Sequence, residues 1–443
     1  MAKIAKEKKQ AAGAPCDGDE VRVTCGSSVH EGLLLPREGS MDFITLKLSS
    51  GYNIGIRKDG IDGIEVISKA KATAETKEKP VPAPQKPGKN FISLLGCGGT
   101  IASKIDYRSG AVDPVTTAGE LLASIPSLSG ESIRAKSIFS LLSEDITPTH
   151  WQKLAAAVAD EIKDGAAGVV ITHGTDTMSY TSAALSFMLQ GLPCPIILVG
   201  SQRSSDRGSS DSSMNLSCSV FAARANLSGV FICMHENMSD ENCLLHFGTK
   251  VRKMHTSRRD AFHSISTLPA ARVVFQQKKV EKISERTLSR NPSASLQLDT
   301  KLNTNVALIY IHPGISPKFI SSLSNYDGIV LAGTGLGHIP TNLSGEKHAI
   351  PIFKEVSALI SSGIPVVMAP QAIYGRINMN VYSVGRAELS AGMMGQLCDF
   401  TPETAYVKLM WVLGREKKME KVRALMETDL AGEISPCSEI SDY

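Results

Sequence analysis

Between Ser68 and Asn90 the chain reads SKAKATAETKEKPVPAPQKPGKN, in which Val81 is the only large apolar residue. A stretch like this cannot bury enough apolar surface to offset the entropy of ordering it, so residues 68–90 are expected to form an extended linker. It cuts the 443-residue chain into two unequal parts. The part before it is too short for a large core. The part after it is too long for one, given about 150 residues per domain as a soft prior.

The two parts differ in texture. Residues 1–14 are Lys- and Ala-rich and are expected to be a disordered tail. Within 15–67, Val21-Arg22-Val23-Thr24, Phe43-Ile44-Thr45-Leu46-Lys47-Leu48 and Tyr52-Asn53-Ile54-Gly55-Ile56 alternate apolar with polar between short turns. That is the pattern of a small all-β, barrel-like module. From Asn90 onward, buried apolar runs alternate with helical patterns. Phe91–Leu95, Gly168–Thr172, Pro195–Gly200 and Val230–Met234 read as strands, and Trp151–Lys163, Tyr180–Leu189 and Met214–Ala225 as helices. This alternation predicts a parallel, doubly wound α/β domain over 91–274. Residues 275–304 are polar and poorly periodic and read as a connection. A second α/β domain is expected over 305–443, with strands at Val306–Ile311, Gly328–Leu331 and Pro365–Met368 and a helix over Pro402–Leu413. The last dozen residues read as frayed.

Bulk properties narrow the function. Hydrophobic residues make up 42% and charged residues 21%, as in soluble globular proteins. A net charge of +3 gives no general argument for nucleic acid as a direct ligand. Nine cysteines (Cys16, Cys25, Cys97, Cys194, Cys218, Cys233, Cys243, Cys398 and Cys437) are scattered without a CxxC pair, which reads as reduced thiols and offers no zinc pattern. The basic N-terminus lacks the apolar segment of a signal peptide, and no run of 18 apolar residues suggests a membrane span. A cytoplasmic location and no membrane partner are expected.

Two strand ends carry unusual chemistry. Gly96-Cys97-Gly98-Gly99-Thr100-Ile101-Ala102-Ser103 leaves backbone N–H groups uncovered just before a threonine. Thr172-His173-Gly174-Thr175-Asp176-Thr177-Met178 sets hydroxyls and a carboxylate at a strand-to-helix turn. In a doubly wound sheet, ligands bind beyond the C-terminal ends of strands, where both segments lie. A phosphate loop would need Lys-Ser/Thr after Gly99, and a dinucleotide fold would need glycine where Ile101 stands, so both readings fail.

GGTIAS followed by HGTDTM resembles the paired signatures of the bacterial-type L-asparaginases, over roughly residues 90–415. Ser143-Glu144-Asp145-Ile146 is similar to the family's substrate-binding segment, and Arg252-Lys253-Met254-His255-Thr256 to its catalytic-lysine segment. Gly333-Thr334-Gly335-Leu336-Gly337 and Asp399-Phe400-Thr401-Pro402-Glu403 resemble its second-domain hallmarks. The resemblance implies two asparaginase-like α/β domains and amide hydrolysis without a metal or cofactor. It gives Thr100 the attack on the amide carbon and makes Tyr107 the mobile tyrosine beside it; Gly110 and the polar stretch around Tyr107 suggest a mobile lid. Thr175, Asp176 and Lys253 would form a second catalytic set, since a desolvated lysine near a hydroxyl can accept a proton. Asp176, joined by Glu144, suits an α-ammonium. Ser143 suits the α-carboxylate, and Gly99 and Gly174 would line the substrate. His173 is expected to be structural, and Cys97 to pack in place of the family's threonine. Lys253 taken alone would be one charge of a solvated cluster with Lys250, Arg252, Arg258 and Arg259. His338 and Tyr382 are candidates for residues that a neighbouring protomer lends.

A small β module and a Pro/Lys linker ahead of an asparaginase body resemble the D subunit family of the archaeal glutamyl-tRNA(Gln) amidotransferases. That implies a glutaminase supplying ammonia to a partner, the E subunit of the amidotransferase, which binds Glu-tRNA(Gln) and uses ATP and Mg2+. It also implies a homodimeric core within a heterotetramer. The alternative is a free L-asparaginase or glutaminase with an added N-terminal module. A two-domain small-ligand binding protein is disfavoured by the paired threonine motifs.

Overall fold

The computed structural model describes residues 14–35, 42–48, 53–69, 88, 90–99, 101, 103–105, 112–114, 125–128, 130–203 and 210–438. The expected N-terminal tail (apart from Ala14), nearly all of the expected linker, and Thr100, Tyr107 and Gly110 lie outside them.

The N-terminal module is a five-stranded antiparallel sheet of β1 (Glu20–Cys25), β2 (Ser28–Leu34), β3 (Phe43–Leu48), β4 (Asn53–Arg57) and β5 (Gly63–Ser68), ordered β4-β3-β2-β1-β5. Alternation does what it should: Val21 and Val23 are fully buried, and they share a core with Leu34, Ile44 and Leu46. Arg22, pointing the other way, pairs with Glu31 on β2 and Glu65 on β5. The sequence does not announce β2, because the adjacent His30 and Glu31 break the period-2 signal, whereas β5 carries it in Ile64-Glu65-Val66.

The first α/β unit carries β6 (Phe91–Gly98), β7 (Ile133–Leu141), β8 (Ala166–Thr172), β9 (Pro195–Val199), β10 (Gly229–His235), β11 (Asn242–Phe247), β14 (Ala271–Val274) and β15 (Lys279–Lys282), in the order β15-β14-β11-β10-β9-β8-β6-β7. A small hairpin, β12 (Val251–Lys253) with β13 (Phe262–Ser264), stands apart from this sheet. The five strands from β7 to β10 are parallel, as expected, but β11, β14 and β15 each run antiparallel to the strand before them in the sheet. The link from His235 to Asn242 is too short for a crossover, so β11 must turn back. β15 also corrects the reading of 275–304 as a bare connection, since 279–282 extend the sheet.

Successive side chains of the central strands feed opposite layers. Leu95, Val169, Ile171, Ile196 and Leu198 pack with helices α1 (Pro148–Lys163) and α2 (Met178–Met188), whereas Ile92, Leu94, Val170, Ile197 and Val199 pack with α3 (Ser212–Arg224). On α1, whose sequence sets Leu154, Val158 and Ile162 on one face, Ile162 is half-buried and Leu154 and Val158 are fully buried. Each such side chain contributes roughly 1.5–3 kcal/mol.

The second unit is a smaller parallel sheet, β16 (Val306–Tyr310), β17 (Gly328–Gly333) and β18 (Val366–Pro370), with helices α4 (Phe353–Ser361), α5 (Ser383–Ser390), α6 (Pro402–Leu413) and α7 (Met419–Met426). α6 begins as its sequence predicts, with Thr401 capping Thr404 and Pro402 in the first turn. α6 packs on α2, so Phe400, Leu409 and Met410 join the same hydrophobic cluster as Phe187 and Leu185. The chain end is not frayed through its last dozen residues: Glu433 is fully buried and Ser435 nearly so.

Candidate active site

The site forms where β6 and β8 lie side by side in parallel register, Gly96 opposite Thr172. Their C-terminal ends therefore deliver the two unusual segments to neighbouring positions. Gly99 has φ +80°, a left-handed conformation that L side chains avoid. A Cβ there would stand 2.7 Å from the His173 carbonyl carbon and collide with Gly174. Gly174 in turn admits Ser143, because a Cβ on it would lie 2.9 Å from Ser143 Oγ. Three backbone segments thus meet at distances that glycine alone allows. Thr100 and Tyr107 lie outside the described residues.

Thr175 and Asp176 follow at the entry to α2. The Lys253 ammonium, at the end of β12, donates to Thr175 Oγ1 at 2.8 Å and to Asp176 Oδ1 at 2.8 Å. Thr175 is 5% exposed and the Asp176 side chain 66% exposed. The arrangement thus runs from a sheltered hydroxyl to an open carboxylate. Ser143 is buried, and its hydroxyl donates to Asp176 Oδ2 at 3.5 Å. Thr177, which the sequence did not single out, donates to the Ser143 carbonyl at 2.7 Å and so ties the two loops together. Glu144 is exposed beside Ser143. Gly200, also missed, directly follows β9 and lies against the Thr175 methyl; its sequence signal was its place at the end of a buried apolar run.

His173 is structural, as expected. It is fully buried, and burial pushes its pKa down to about 4. Trp151 Nε1 can only donate, and it donates to Thr181 Oγ1. Thr181 then donates to His173 Nε2, and His173 Nδ1–H donates to the Gly174 carbonyl at 2.6 Å. A neutral imidazole in one tautomer fixes the turn before Thr175. Cys97 is fully buried, and burial pushes its thiol far up, so it packs and does not ionise.

The basic cluster does not form a solvated face. Lys250 pairs with Asp399, Arg252 with Glu403, Lys253 with Asp176, Arg258 with Asp260 and Arg259 with Asp240. His338 and Tyr382 meet edge to face at 5.4 Å in the second unit, next to buried Glu388. Burial raises the Glu388 carboxyl to about 7. Among the described residues, no hydrogen bond or ion pair joins His338 or Tyr382 to Thr175, Asp176 or Lys253. A cavity of about 510 Å3, lined by Ser186, Gln190, Phe231, Phe247 and Arg286 among others, touches none of these site residues.

Known proteins share this architecture. Residues 91–287 match the family described as asparaginase, N-terminal; residues 305–426 match the glutaminase/asparaginase C-terminal domain; residues 16–67 match the GatD N-terminal domain. The thermostable L-asparaginase from Thermococcus kodakarensis is 33% identical with a TM-score of 0.69, covering 78% of this chain and 100% of its own. L-asparaginase I from Vibrio cholerae is 28% identical with a TM-score of 0.66, covering 79% of this chain and 100% of its own. The glutamyl-tRNA(Gln) amidotransferase D subunit of Pyrococcus abyssi is 45% identical over 436 residues, 96% of each chain. That of Methanothermobacter thermautotrophicus is 45% identical over 431 residues, 96% of this chain and 95% of its own. With the module, the asparaginase body and the order between them all shared, the chain belongs to the D subunit family of the glutamyl-tRNA(Gln) amidotransferases.

Proposed function

We propose that this chain is the glutaminase component of a tRNA-dependent amidotransferase. It hydrolyses glutamine and passes the ammonia to a partner, the E subunit of the amidotransferase, that converts Glu-tRNA(Gln) to Gln-tRNA(Gln). The observation that carries the chemistry is the Lys253 ammonium at 2.8 Å from both Thr175 and Asp176, beside the Gly99–Gly174 contact. The N-terminal module favours the amidotransferase over a free asparaginase, since the amidotransferase relatives match 96% of the chain, module included, and the solved asparaginases 78–79%.

In this reading Thr100 Oγ attacks the side-chain amide carbon of glutamine. The amide C–N bond breaks, the departing nitrogen gains a proton and leaves as ammonia, and a γ-glutamyl ester remains on Thr100. Water then cleaves the ester to glutamate and restores the hydroxyl. Thr175 accepts an N–H from Lys253, so its own O–H is free to point into the cleft. Thr175 and Lys253 together relay protons between nucleophile, leaving group and water. Asp176 presents an open oxygen to the substrate's α-ammonium, with Glu144 beside it. Ser143, with Gly99 and Gly174 around it, receives the α-carboxylate, and Tyr107 acts in the catalytic set with Thr100. No cofactor is needed here; ATP and Mg2+ serve the partner's activation of glutamate. Glu-tRNA(Gln) is met mainly through the partner. The assembly is a homodimer of this chain within a heterotetramer, with His338 and Tyr382 at the contact between copies. A cytoplasmic location fits tRNA charging, and no helix among the described residues is long and apolar enough to cross a membrane.

Thr100→Ala in the assembled complex tests this. Glutamine-dependent amidation should vanish and ammonia-dependent amidation should persist, because ammonia bypasses this chain. Vigorous asparagine hydrolysis by the lone chain would overturn the amidotransferase reading in favour of a free enzyme.

A further inference from the structure

β12 is a three-residue strand, Val251–Lys253, at the border between the two α/β units. Side chains two apart on a strand share a face, and the next one points away. Lys250 and Arg252 face the second unit. The Lys250 ammonium lies 2.7 Å from Asp399 Oδ2, with both side chains fully buried. Arg252 Nε lies 3.0 Å from Glu403 Oε1, which is 10% exposed, and Arg252 also donates to the Tyr310 hydroxyl at 3.1 Å. One residue before Lys250, the Thr249 carbonyl accepts from Thr404 Oγ1 at 2.8 Å. Lys253, on the opposite face, reaches into the first unit and meets Thr175 and Asp176. The segment from Thr249 to Arg252 is thus held by the second unit at the start of α6, and the residue that emerges from it is the lysine of the site.

We propose that Asp399 and Glu403 are positioning residues for Lys253: they clamp β12 from the second unit, so that docking of that unit sets where the lysine ammonium stands. This rests on the reading of Thr175, Asp176 and Lys253 as the proton-handling set. The physical case is one of reach. A lysine has four flexible methylenes, and its head group is placed only as well as its backbone is. Two ion pairs on alternate residues, one fully buried and one with its Arg252 side chain 26% exposed, hold that backbone. A buried charge left without its partner is costly, so the Lys250–Asp399 pair resists opening. Neither carboxylate approaches Thr175 or Asp176 by any hydrogen bond among the described residues, which is why they act through Lys253.

The test uses the assembled complex. Glu403→Gln keeps the shape of the side chain and removes its charge. Glutamine-dependent kcat should fall about tenfold or more, in keeping with the steep cost of misplacing a catalytic group by about 1 Å. KM for glutamine should change less than about threefold, the pattern of an interaction that acts on the chemical step. Ammonia-dependent amidation should stay at the wild-type rate. The charge swap of Arg252→Glu with Glu403→Arg should recover most of the lost kcat. If Glu403→Gln does not assemble, Arg252→Lys, which keeps the charge and loses the fork, should show the same kcat loss. The clamp is overturned if kcat is unchanged in these variants, or if glutamine- and ammonia-dependent rates fall together and the swap restores neither. Lys253→Met separates this failure from that of the functional reading. If Lys253→Met retains full glutaminase activity, the role of the lysine itself is wrong; if it is inactive while Glu403→Gln and Arg252→Lys match wild type, only the clamp is wrong.

Discussion

His173 shows how a residue beside the chemistry can be pinned by burial alone. Its ring is fully enclosed, it receives from Thr181 and donates to the Gly174 carbonyl, and burial holds its pKa at about 4, below the ordinary 6.5. A histidine whose folded pKa is depressed binds fewer protons folded than unfolded between those values. Its cost is therefore absent above pH 6.5 and grows as the pH falls towards 4. At pH 5 this amounts to about 2 kcal/mol. The stability gap between wild type and His173→Gln, measured by denaturant unfolding, should be widest at pH 7 and narrow by about that much at pH 5. Glu388 slopes the other way. Burial raises its carboxyl from 4.5 to about 7, so the folded state favours the protonated form, and its contribution is present below pH 4.5 and lost as the pH rises through 7. Glu388→Gln keeps an acceptor for the Ile339 N–H at the same place. Its melting temperature should gain on wild type as the pH rises from 5 to 8; parallel curves would refute the assignment.

At the scale of elements, the meeting of two strand ends decides whether a site exists at all. Gly99 is confined by its φ of +80° and by the backbone of His173 and Gly174. Gly99→Ala should therefore separate β6 from the turn after β8, at a cost of about 1–3 kcal/mol in stability and most of the glutaminase activity. A variant with wild-type melting and wild-type activity would show that the loops tolerate a methyl group. Much at this scale was legible in the sequence. Runs such as Val169-Val170-Ile171 are apolar on both faces because helices cover both sides of a parallel sheet, and that signal survives without any structure. The pairing of GGT with HGTDT was readable for the same reason, since both end such runs. The antiparallel edge was not, because Lys279–Lys282 lies at the rim, with both lysines exposed and Val280 only half-buried. Nor was the fate of the basic cluster, because the carboxylates of Asp399 and Glu403 lie about 150 residues away in sequence. Local composition shows a charge but not its distant partner.

For the whole molecule, the segment after α7 holds the two units together, although its composition suggests otherwise. Its last dozen residues read as frayed, yet the segment is threaded between the two units. Thr249 donates to the Ala431 carbonyl and Arg286 to the Gly432 carbonyl from the first unit, and the Ser435 hydroxyl donates to the Ser266 carbonyl. From the second unit, Asp399 accepts the Ser435 N–H and Arg376 donates to the Ser435 carbonyl. At the centre, the fully buried Lys408 of α6 lies 2.5 Å from the fully buried Glu433 and also donates to the Met426 and Thr428 carbonyls. Burial pushes the Glu433 carboxyl up, but the Lys408 charge and the Ala431 N–H outweigh it and hold the carboxyl below its ordinary value. Removing one member of such a pair strands the other charge without water, at a typical cost of about 3–5 kcal/mol. Glu433→Ala should lose stability of that order, with both α/β units affected, because the segment bonds to each. Glu433→Met with Lys408→Met should recover much of it, since the pair's own desolvation penalty also disappears. Differential scanning calorimetry of the three proteins decides the point: a Glu433→Ala variant that melts like wild type would mean that the tail is attached to the body without bracing it.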